Sequence, residues 1–172
     1  HDALPISPVN RVLPKWNEWM ERWPTPKYLA TATPAQVITA WGRLGYPRRA
    51  LRLHAAAQII AEDFNNKVPE DQETLQLLPG IGEYTAAAIA AFAFEQRTLV
   101  MDVNIRRLLV RAIDGEEHPK PAPTAKEKVR RLANLPIKNA HLWAAATMEL
   151  GALVCTSKNP SCEICPIISQ CQ

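Results

Sequence analysis

Four cysteines lie close together at the end of the chain, where their thiols could bind a metal. They are the only cysteines among the 172 residues, and their spacing is C-x6-C-x2-C-x5-C: Cys155, Cys162, Cys165 and Cys171. Structural zinc sites usually combine two close cysteine pairs, and only Cys162 and Cys165 form such a pair. Four cysteines joined by unequal loops favour a [4Fe–4S] cluster, with zinc as the alternative. Lys158, in the first of these loops, could reach a phosphate.

A pair of glycines stands in the stretch LPGIGEYTAAAIAAF, residues 78–92. A short helix before the pair and a long alanine-rich helix after it indicate a helix–hairpin–helix. Gly80 and Gly82 can adopt positive φ and bring backbone amides close to a ligand with no Cβ in the way. Together with the unpaired N–H groups that open the next helix, they would cradle one backbone phosphate of DNA. Ile81 and Leu78 would anchor the hairpin in the core. The alternative is a plain tight turn between two helices.

A single carboxylate follows twenty residues after the second glycine, in LVMDVNIRRLLVRA. Asp102 stands at the start of a predicted helix, and an N-cap role would be a sufficient reason for an aspartate there. It is the only acid between Glu95 and Asp114, so its near surroundings are cationic and it should stay ionised. A carboxylate beside a DNA-binding cleft would repel the backbone, which favours a chemical role for it.

The composition excludes a membrane protein and only weakly indicates an anionic partner. The longest uncharged apolar run, residues 86–94, is far short of the roughly 20 residues that a spanning helix needs. The N-terminus HDALPIS has no basic region and no long apolar core, so a reducing cytosol is expected. The net charge is +3. Basic residues cluster, either as solvated helix faces or as anion-binding surface, at Arg43, Arg48, Arg49 and Arg52, at Arg106, Arg107 and Arg111, and at Lys126, Lys128, Arg130 and Arg131.

Hydrophobic periodicity predicts an all-α fold. Apolar residues recur at steps of three and four from Val9 to Trp23, and Pro24 and Pro26 are expected to end that helix. Thr33 and Pro34 predict the next helix start, with its end at Leu44 and Gly45 as C-cap. Further helices are expected at about 48–64, 73–78, 83–95, 103–113, 125–135 and 138–153. No strand pattern is found, and residues 114–124 form a linker rich in proline and charge.

Together these features resemble the helix–hairpin–helix superfamily of DNA glycosylases, and more closely its adenine DNA glycosylase (MutY-like) branch. The cysteine spacing is specific to the branches that carry a cluster. The resemblance implies a six-helix barrel at 8–113, with its hairpin at 78–84, beside a small helical iron–sulfur domain at 114–172. The matching stretches, in the family's order, are WGRLGYPRRALRLHAAA, LPGIGEYTAAAIAAFAF, VMDVNIRRLLVRA and MELGALVCTSKNPSCEICPIISQC.

The resemblance also implies roles for individual residues. Asp102 would stabilise the oxocarbenium-like sugar while adenine leaves, Asn104 would help to hold the site, and Tyr84 would hydrogen-bond near Asp102. Tyr46 matches the residue that wedges into the base stack beside a flipped base; the alternative is a surface aromatic that covers a helix end. Contacts with DNA are expected from Gly80, Ile81, Gly82, Tyr46, Arg48 and Lys158, and cluster ligands from Cys155, Cys162, Cys165 and Cys171.

Tyr84 distinguishes between branches of this superfamily. Relatives that resemble endonuclease III carry a lysine two positions after the second glycine, and its amine forms a Schiff base that leads to strand cleavage. No lysine occurs here between Lys67 and Lys120. The expected activity is therefore removal of adenine opposite 8-oxoguanine or guanine in double-stranded DNA, by a monomer in the bacterial cytoplasm that is associated with the nucleoid through DNA. A pyrimidine glycosylase with lyase activity is the less favoured alternative.

The resemblance is incomplete at the N-terminus. The family's general acid is a glutamate in a helix with the pattern E-x-M-L-Q-Q-T-x-V, placed just before the segment that matches PVNRVLPKW. The residues before Pro8 are HDALPIS, with no glutamate, and look more like a sequencing remnant or a truncated reading than a family N-terminus. The usual C-terminal domain that recognises 8-oxoguanine is not expected either. A catalytically impaired, cluster-bearing DNA-binding core is thus the second interpretation.

Overall fold

The computed structural model describes residues 9–172, and that range is helical with no strand, as predicted. No helix within it is long and apolar enough to cross a bilayer. Two short 3₁₀ helices lie near the C-terminus, at Cys162–Ile164 and Ile168–Gln170. The α-helices of the described range are α1 (Val9–Arg22), α2 (Pro26–Ala30), α3 (Pro34–Trp41), α4 (Arg48–Asp63), α5 (Gln72–Gln76), α6 (Glu83–Phe94), α7 (Val103–Asp114), α8 (Ala125–Ala133) and α9 (Ala140–Leu153).

The chain divides into two compact units, one ending at Gly82 and the other beginning at Glu83. The glycine pair therefore belongs to the first unit, whereas Asp102 and the cysteines belong to the second. The functional boundary expected between residues 113 and 114 stays a prediction.

In the first unit, α2 and α3 pack against α4. Tryptophans extend this core: the ring centroid of Trp19 lies 5.0 Å from that of Trp23 and 5.7 Å from that of Trp41, both edge-on. Edge-on contacts suit the quadrupoles of aromatic rings. The buried residues beneath the tryptophans are Leu29, Ala32, Val37, Ala50 and Ala57.

The helices of this unit differ from the prediction at the end of α3, in the additional helix α2 and at α5, which ends at Gln76 rather than Leu78. Thr33 starts α3 with a full capping box, as its sequence indicates, but the helix ends at Trp41 rather than Leu44. Its C-cap is Gly42, with φ of +58°, so Gly42 and not Gly45 stops the helix. Pro26 occupies the first turn of the short helix α2, which the sequence analysis missed, because a proline can begin a helix as well as end one.

The second unit is built on α7, which packs along α9, while α6 also contacts α9. Gly151 on α9 permits this approach, since a Cβ there would lie only 2.6 Å from the carbonyl oxygen of Asn104 on α7. The buried residues of this core are Ala87, Ala91, Val100, Ile105, Leu109 and Ala144.

The basic residues of α7 and α8 do not form a simple solvated face. Arg106 is 8% exposed and binds both carboxylate oxygens of Glu127, at 2.9 and 3.1 Å. Arg131 is 3% exposed and pairs with Asp114. For these two arginines the solvated-face interpretation is wrong, because Glu127 on α8 and the Lys120 carbonyl of the linker accept from Arg106, and Asp114 at the end of α7 pairs with Arg131.

Candidate active site and cysteine loop

The hairpin presents two backbone amides that have no partner in the described part of the chain. The Ile81 N–H donates to the Leu78 carbonyl at 3.1 Å, so this amide is already satisfied. The N–H groups of Gly80 and Gly82 make no hydrogen bond to another residue of the range 9–172. Leu78 is buried and Ile81 is half-buried, in line with their expected anchoring role.

The two glycines serve different geometric needs. Gly80 has φ of +83°, whereas Gly82 lies outside the positive-φ region, so the expected positive φ holds at one glycine only. A Cβ on Gly82 would meet no atom within 4 Å, which leaves open space above that amide. A Cβ on Gly80 would lie 2.9 Å from the Cβ of Arg52 on α4.

Tyr46 protrudes from the turn between α3 and α4. It is 67% exposed and has φ of +49°, a conformation that a bulky residue rarely adopts. The turn is held by Trp41, whose Nε1 donates to the Gly45 carbonyl at 2.8 Å. Arg48, which opens α4, is exposed beside it. Positive φ and an exposed ring thus coincide at Tyr46. Its role as a wedge between bases stays a prediction.

Asp102 is the N-cap of α7, so the capping interpretation is confirmed. One carboxylate oxygen accepts from the Ile105 N–H at 2.7 Å. The other oxygen accepts from Nδ2 of Asn104 at 3.1 Å. Both oxygens are thus oriented by the first turn of α7, and the structure brings together Asp102 and Asn104, two of the predicted catalytic residues.

Arg107 connects the pair of Asp102 and Asn104 to the cysteine loop. Its Nη2 donates to Oδ1 of Asn104 at 2.8 Å and to the Gly151 carbonyl at 2.5 Å. Its Nε donates to the carbonyl of Cys155 at 2.8 Å. Burial lowers the pKa of Arg107, and the positive charge of Arg111 lowers it further, while Cys155 and Asp102 act in the opposite direction.

Tyr84, the second residue of α6, interacts with Asp102 through charge. Burial raises the pKa of the Tyr84 hydroxyl, and the carboxylate of Asp102 raises it further. The phenol therefore stays protonated and can donate a hydrogen bond. The Tyr84 hydroxyl makes no hydrogen bond within residues 9–172, so this donor is available to a ligand.

The four cysteines come together around one small cavity of about 60 Å³. Apolar side chains, including Leu108 and Ile167, complete its wall. Arg111 lies beside it: Nη1 contacts the Cys155 Sγ at 3.7 Å and donates to the Thr156 carbonyl at 2.7 Å. All four thiols are free of disulfides.

The four cysteines offer sulfur donors only. In the described part of the chain, no group of three or more His, Cys, Asp or Glu side chains is arranged to hold one metal ion. A [4Fe–4S] cluster is held by four cysteine thiolates. The four thiols that border one cavity, with the guanidinium of Arg111 beside it, fit that donor set.

Lys158 lies exposed in the loop between Cys155 and Cys162, and its carbonyl accepts from the Thr156 hydroxyl at 2.7 Å. The expectations about HDALPIS and the missing glutamate concern residues outside the described range. Arg107, Arg111 and Gly151 were not identified as site residues from the sequence. Only the grouping of three arginines after Asp102 pointed to two of them.

The sequence matches the family model of the HhH-GPD superfamily base excision DNA repair proteins over residues 7–134. It is 48% identical to the adenine DNA glycosylase of Mycobacterium tuberculosis over 165 residues, which is 95% of this chain and 54% of the relative. It is 41% identical to the adenine DNA glycosylase of Homo sapiens over 170 residues, 95% of this chain and 30% of that protein. The chain thus spans about half the length of the mycobacterial relative.

Solved structures share the fold at low sequence identity. A thermostable thymine-DNA glycosylase superposes with a TM-score of 0.89 at 20% identity, covering 98% of this chain and 78% of the other. Endonuclease III in a non-covalent complex with DNA gives 0.79 at 18% identity, with 94% and 74% covered. Because the family model covers most of the chain, this protein belongs to the HhH-GPD superfamily of base excision DNA repair proteins.

Proposed function

We propose that this chain is the core of a monofunctional adenine DNA glycosylase that acts on adenine opposite 8-oxoguanine or guanine. The observation that carries the proposal is the carboxylate of Asp102, which Ile105 and Asn104 orient in the unit that also holds Tyr84. The identity of 48% with an adenine DNA glycosylase supports the choice of base.

Asp102 would act by charge. Cleavage of an N-glycosidic bond builds positive charge on the sugar, and a fixed carboxylate stabilises that charge in the transition state. The hydrogen bonds from Ile105 and Asn104 hold the oxygens in place before the reaction, so little reorganisation is needed. The protonated Tyr84 hydroxyl could donate to the sugar or to the departing base.

The absence of an amine at position 84 determines the product. A lysine would attack the sugar carbon and form a Schiff base, which leads to strand cleavage. A tyrosine that stays protonated is a poor nucleophile, and water is then left to complete the reaction. The product would be free adenine and an intact strand with an abasic site.

Double-stranded DNA would be held by three groups of residues. Gly80 and Gly82 offer free amides to a phosphate, and such contacts position DNA without reading its sequence. Tyr46 would wedge between bases, and Arg48 and Lys158 would contact the backbone. Extruding a base costs a few kcal/mol and is easiest at a mispair, so the wedge would favour mispaired adenine. A monomer is sufficient for these contacts.

Cys155, Cys162, Cys165 and Cys171 are the residues that we propose to hold a [4Fe–4S] cluster. When bound, the cluster would join the ends of this loop through four iron–sulfur bonds. Arg111 would offset the charge of the Cys155 thiolate, and Arg107 would fix the Cys155 backbone. Measurement of iron and zinc in the purified protein decides between the cluster and zinc.

The test of function is release of free adenine from a duplex with adenine opposite 8-oxoguanine, under single turnover. It should be run with this chain and with a version that carries the E-x-M-L-Q-Q-T-x-V helix ahead of Pro8. The expected result is that adenine is released while the strand stays intact. The strand should break at the abasic site only after alkali is added. Binding without release by either version would leave only the DNA-binding core. A covalent complex trapped by borohydride would instead favour the pyrimidine glycosylase and lyase.

A further inference from the structure

The side chain of Arg52 lies across the hairpin glycine. Three carbons of its stem approach the position of a Cβ on Gly80: Cβ at 2.9 Å, Cδ at 3.0 Å and Cγ at 3.4 Å. Gly80 has no side chain that could displace this stem, and its φ is +83°. The hairpin and Arg52 therefore pack as one surface within the first unit.

The guanidinium of Arg52 has no partner among the described residues. Arg52 is exposed, and its side chain makes no hydrogen bond, ion pair or aromatic contact within residues 9–172. Neighbouring Arg49 lies over the Trp41 ring at 5.7 Å. The stem of Arg52 is held, yet its charged end, which begins one bond beyond Cδ, is left for a ligand.

Two positively charged side chains on α4 repel each other next to the hairpin. Arg48 and Arg52 are four residues apart, so they lie on the same face one turn from each other. Like charges at this spacing destabilise a helix, and neither arginine is paired within residues 9–172. An anionic ligand would remove that repulsion.

We infer that Arg52 and the free amides of Gly80 and Gly82 form one phosphate clamp on the DNA backbone. The inference rests on the proposed DNA-binding function and adds a residue that the resemblance does not supply. A guanidinium binds phosphate oxygens through two parallel N–H groups, and charge-assisted hydrogen bonds of this kind are strong. The amides fix the position of the phosphate, and Arg52 supplies its counter-charge.

The competing explanation is that Arg52 only covers Gly80 with its aliphatic stem. Arg52→Met keeps an unbranched stem and removes the charge, whereas Arg52→Lys keeps the charge. Lys67→Met is the matched control, because Lys67 is also exposed in the first unit and has no side-chain partner in the described range.

The experiment measures equilibrium binding of the full chain and these variants to a short undamaged duplex over a series of salt concentrations. Each phosphate contact contributes about 0.9 to the slope of log K against log salt. Arg52→Met should lower the slope by about that amount, whereas Arg52→Lys and Lys67→Met should leave it unchanged. Thermal unfolding of each variant checks that the fold persists.

An unchanged slope in Arg52→Met, with DNA still bound, would overturn the clamp and leave the proposed function intact. No binding of duplex by the parent chain would overturn both. An equal fall in slope for Lys67→Met would show general charge attraction, and it would also overturn the clamp.

Discussion

Arg107 and Asn104 are joined by a hydrogen bond of 2.8 Å between Nη2 and Oδ1, and Asn104 in turn donates to Asp102 at 3.1 Å. The same guanidinium donates to the carbonyls of Gly151 and Cys155. The orientation of the candidate carboxylate therefore depends on the backbone that leads into the cysteine loop. A shift of the Cys155 backbone would therefore move Arg107, and with it the side chain of Asn104.

Arg107→Met should lower the free energy of unfolding and should also slow adenine release. The slowing should be larger than in a control variant that loses a comparable set of hydrogen bonds. Arg107→Met leaves the Asn104 amide and two carbonyls without their donor, and unsatisfied buried groups cost about 1–3 kcal/mol each. Arg97→Met is the matched control, because Arg97 also donates to three backbone carbonyls, those of Leu132, Leu135 and Pro136. Single-turnover rates and thermal unfolding are compared. Equal rate losses in both variants would contradict a role for Arg107 in positioning Asp102.

Gly151→Ala should separate α7 from α9. The added Cβ would lie 2.6 Å from the oxygen and 2.9 Å from the carbon of the Asn104 carbonyl, and backbone atoms cannot move aside alone. Overpacking of this kind typically costs about 1–3 kcal/mol. Thermal unfolding measures the loss, with Ala152→Ser on the exposed side of the same helix as control. If Gly151→Ala were as stable as the parent, α7 and α9 could move apart without cost, and the prediction would be wrong.

The hairpin glycines should respond differently to alanine. Gly80→Ala combines positive φ with a 2.9 Å contact to the Arg52 Cβ, so a loss of about 1 kcal/mol or more is expected. Gly82→Ala should leave stability unchanged, since nothing lies within 4 Å of its new Cβ. It should nevertheless weaken DNA binding, because the methyl group would occupy the space proposed for a phosphate. Denaturant unfolding and duplex binding separate the two effects.

Glu127 should contribute stability that is lost in acid. Its hydrogen bond from Arg106 is the main cause that lowers its pKa below the usual 4.5. Between the unfolded pKa and the lower folded pKa, the unfolded chain binds more protons, so stability falls as pH falls through that window. Glu127→Gln should lower stability by about 3 kcal/mol at neutral pH, since it leaves Arg106 unpaired.

The difference between Glu127→Gln and the parent should shrink as the pH falls below 4.5. Glu18→Gln tests an exposed ion pair, with Lys15, and should change stability by less than about 1 kcal/mol at any pH. Denaturant unfolding at several pH values gives both curves. A difference that stays constant into acid would contradict the pKa assigned to Glu127.

Local signals predicted most of the helices, because apolar residues recur with the helical period and caps mark the ends. Thr33 began α3 and Asp102 began α7 as their side chains indicated. The end of α3 was missed, because Gly42 and Gly45 are both able to stop a helix and both have positive φ in the structure. Local patterns cannot make that choice.

The sequence predicted the residue types of the candidate site but not the hydrogen bonds that join them. The sequence grouped Asp102 and Asn104 in one short motif, and a hydrogen bond joins them in the structure. The catalytic roles of Asp102, Asn104 and Tyr84 stay predictions. The link from Arg107 to Cys155 joins residues 48 positions apart and exists only once α7 packs on α9. The role of Arg52 likewise depends on the contact between α4 and the hairpin, which no spacing along the chain reveals.

The most direct test of the account is the single-turnover rate of adenine release by Asp102→Asn, in whichever version of the protein is active. Asparagine caps helices as well as aspartate does, so the start of α7 should be kept while the negative charge is lost. The unfolding midpoint should fall only slightly, because the variant keeps the cap on the Ile105 N–H and loses the hydrogen bond from Asn104. The rate of adenine release should be lower by a factor on the order of 10² or more. A variant that folds normally and releases adenine at the parent's rate would contradict it.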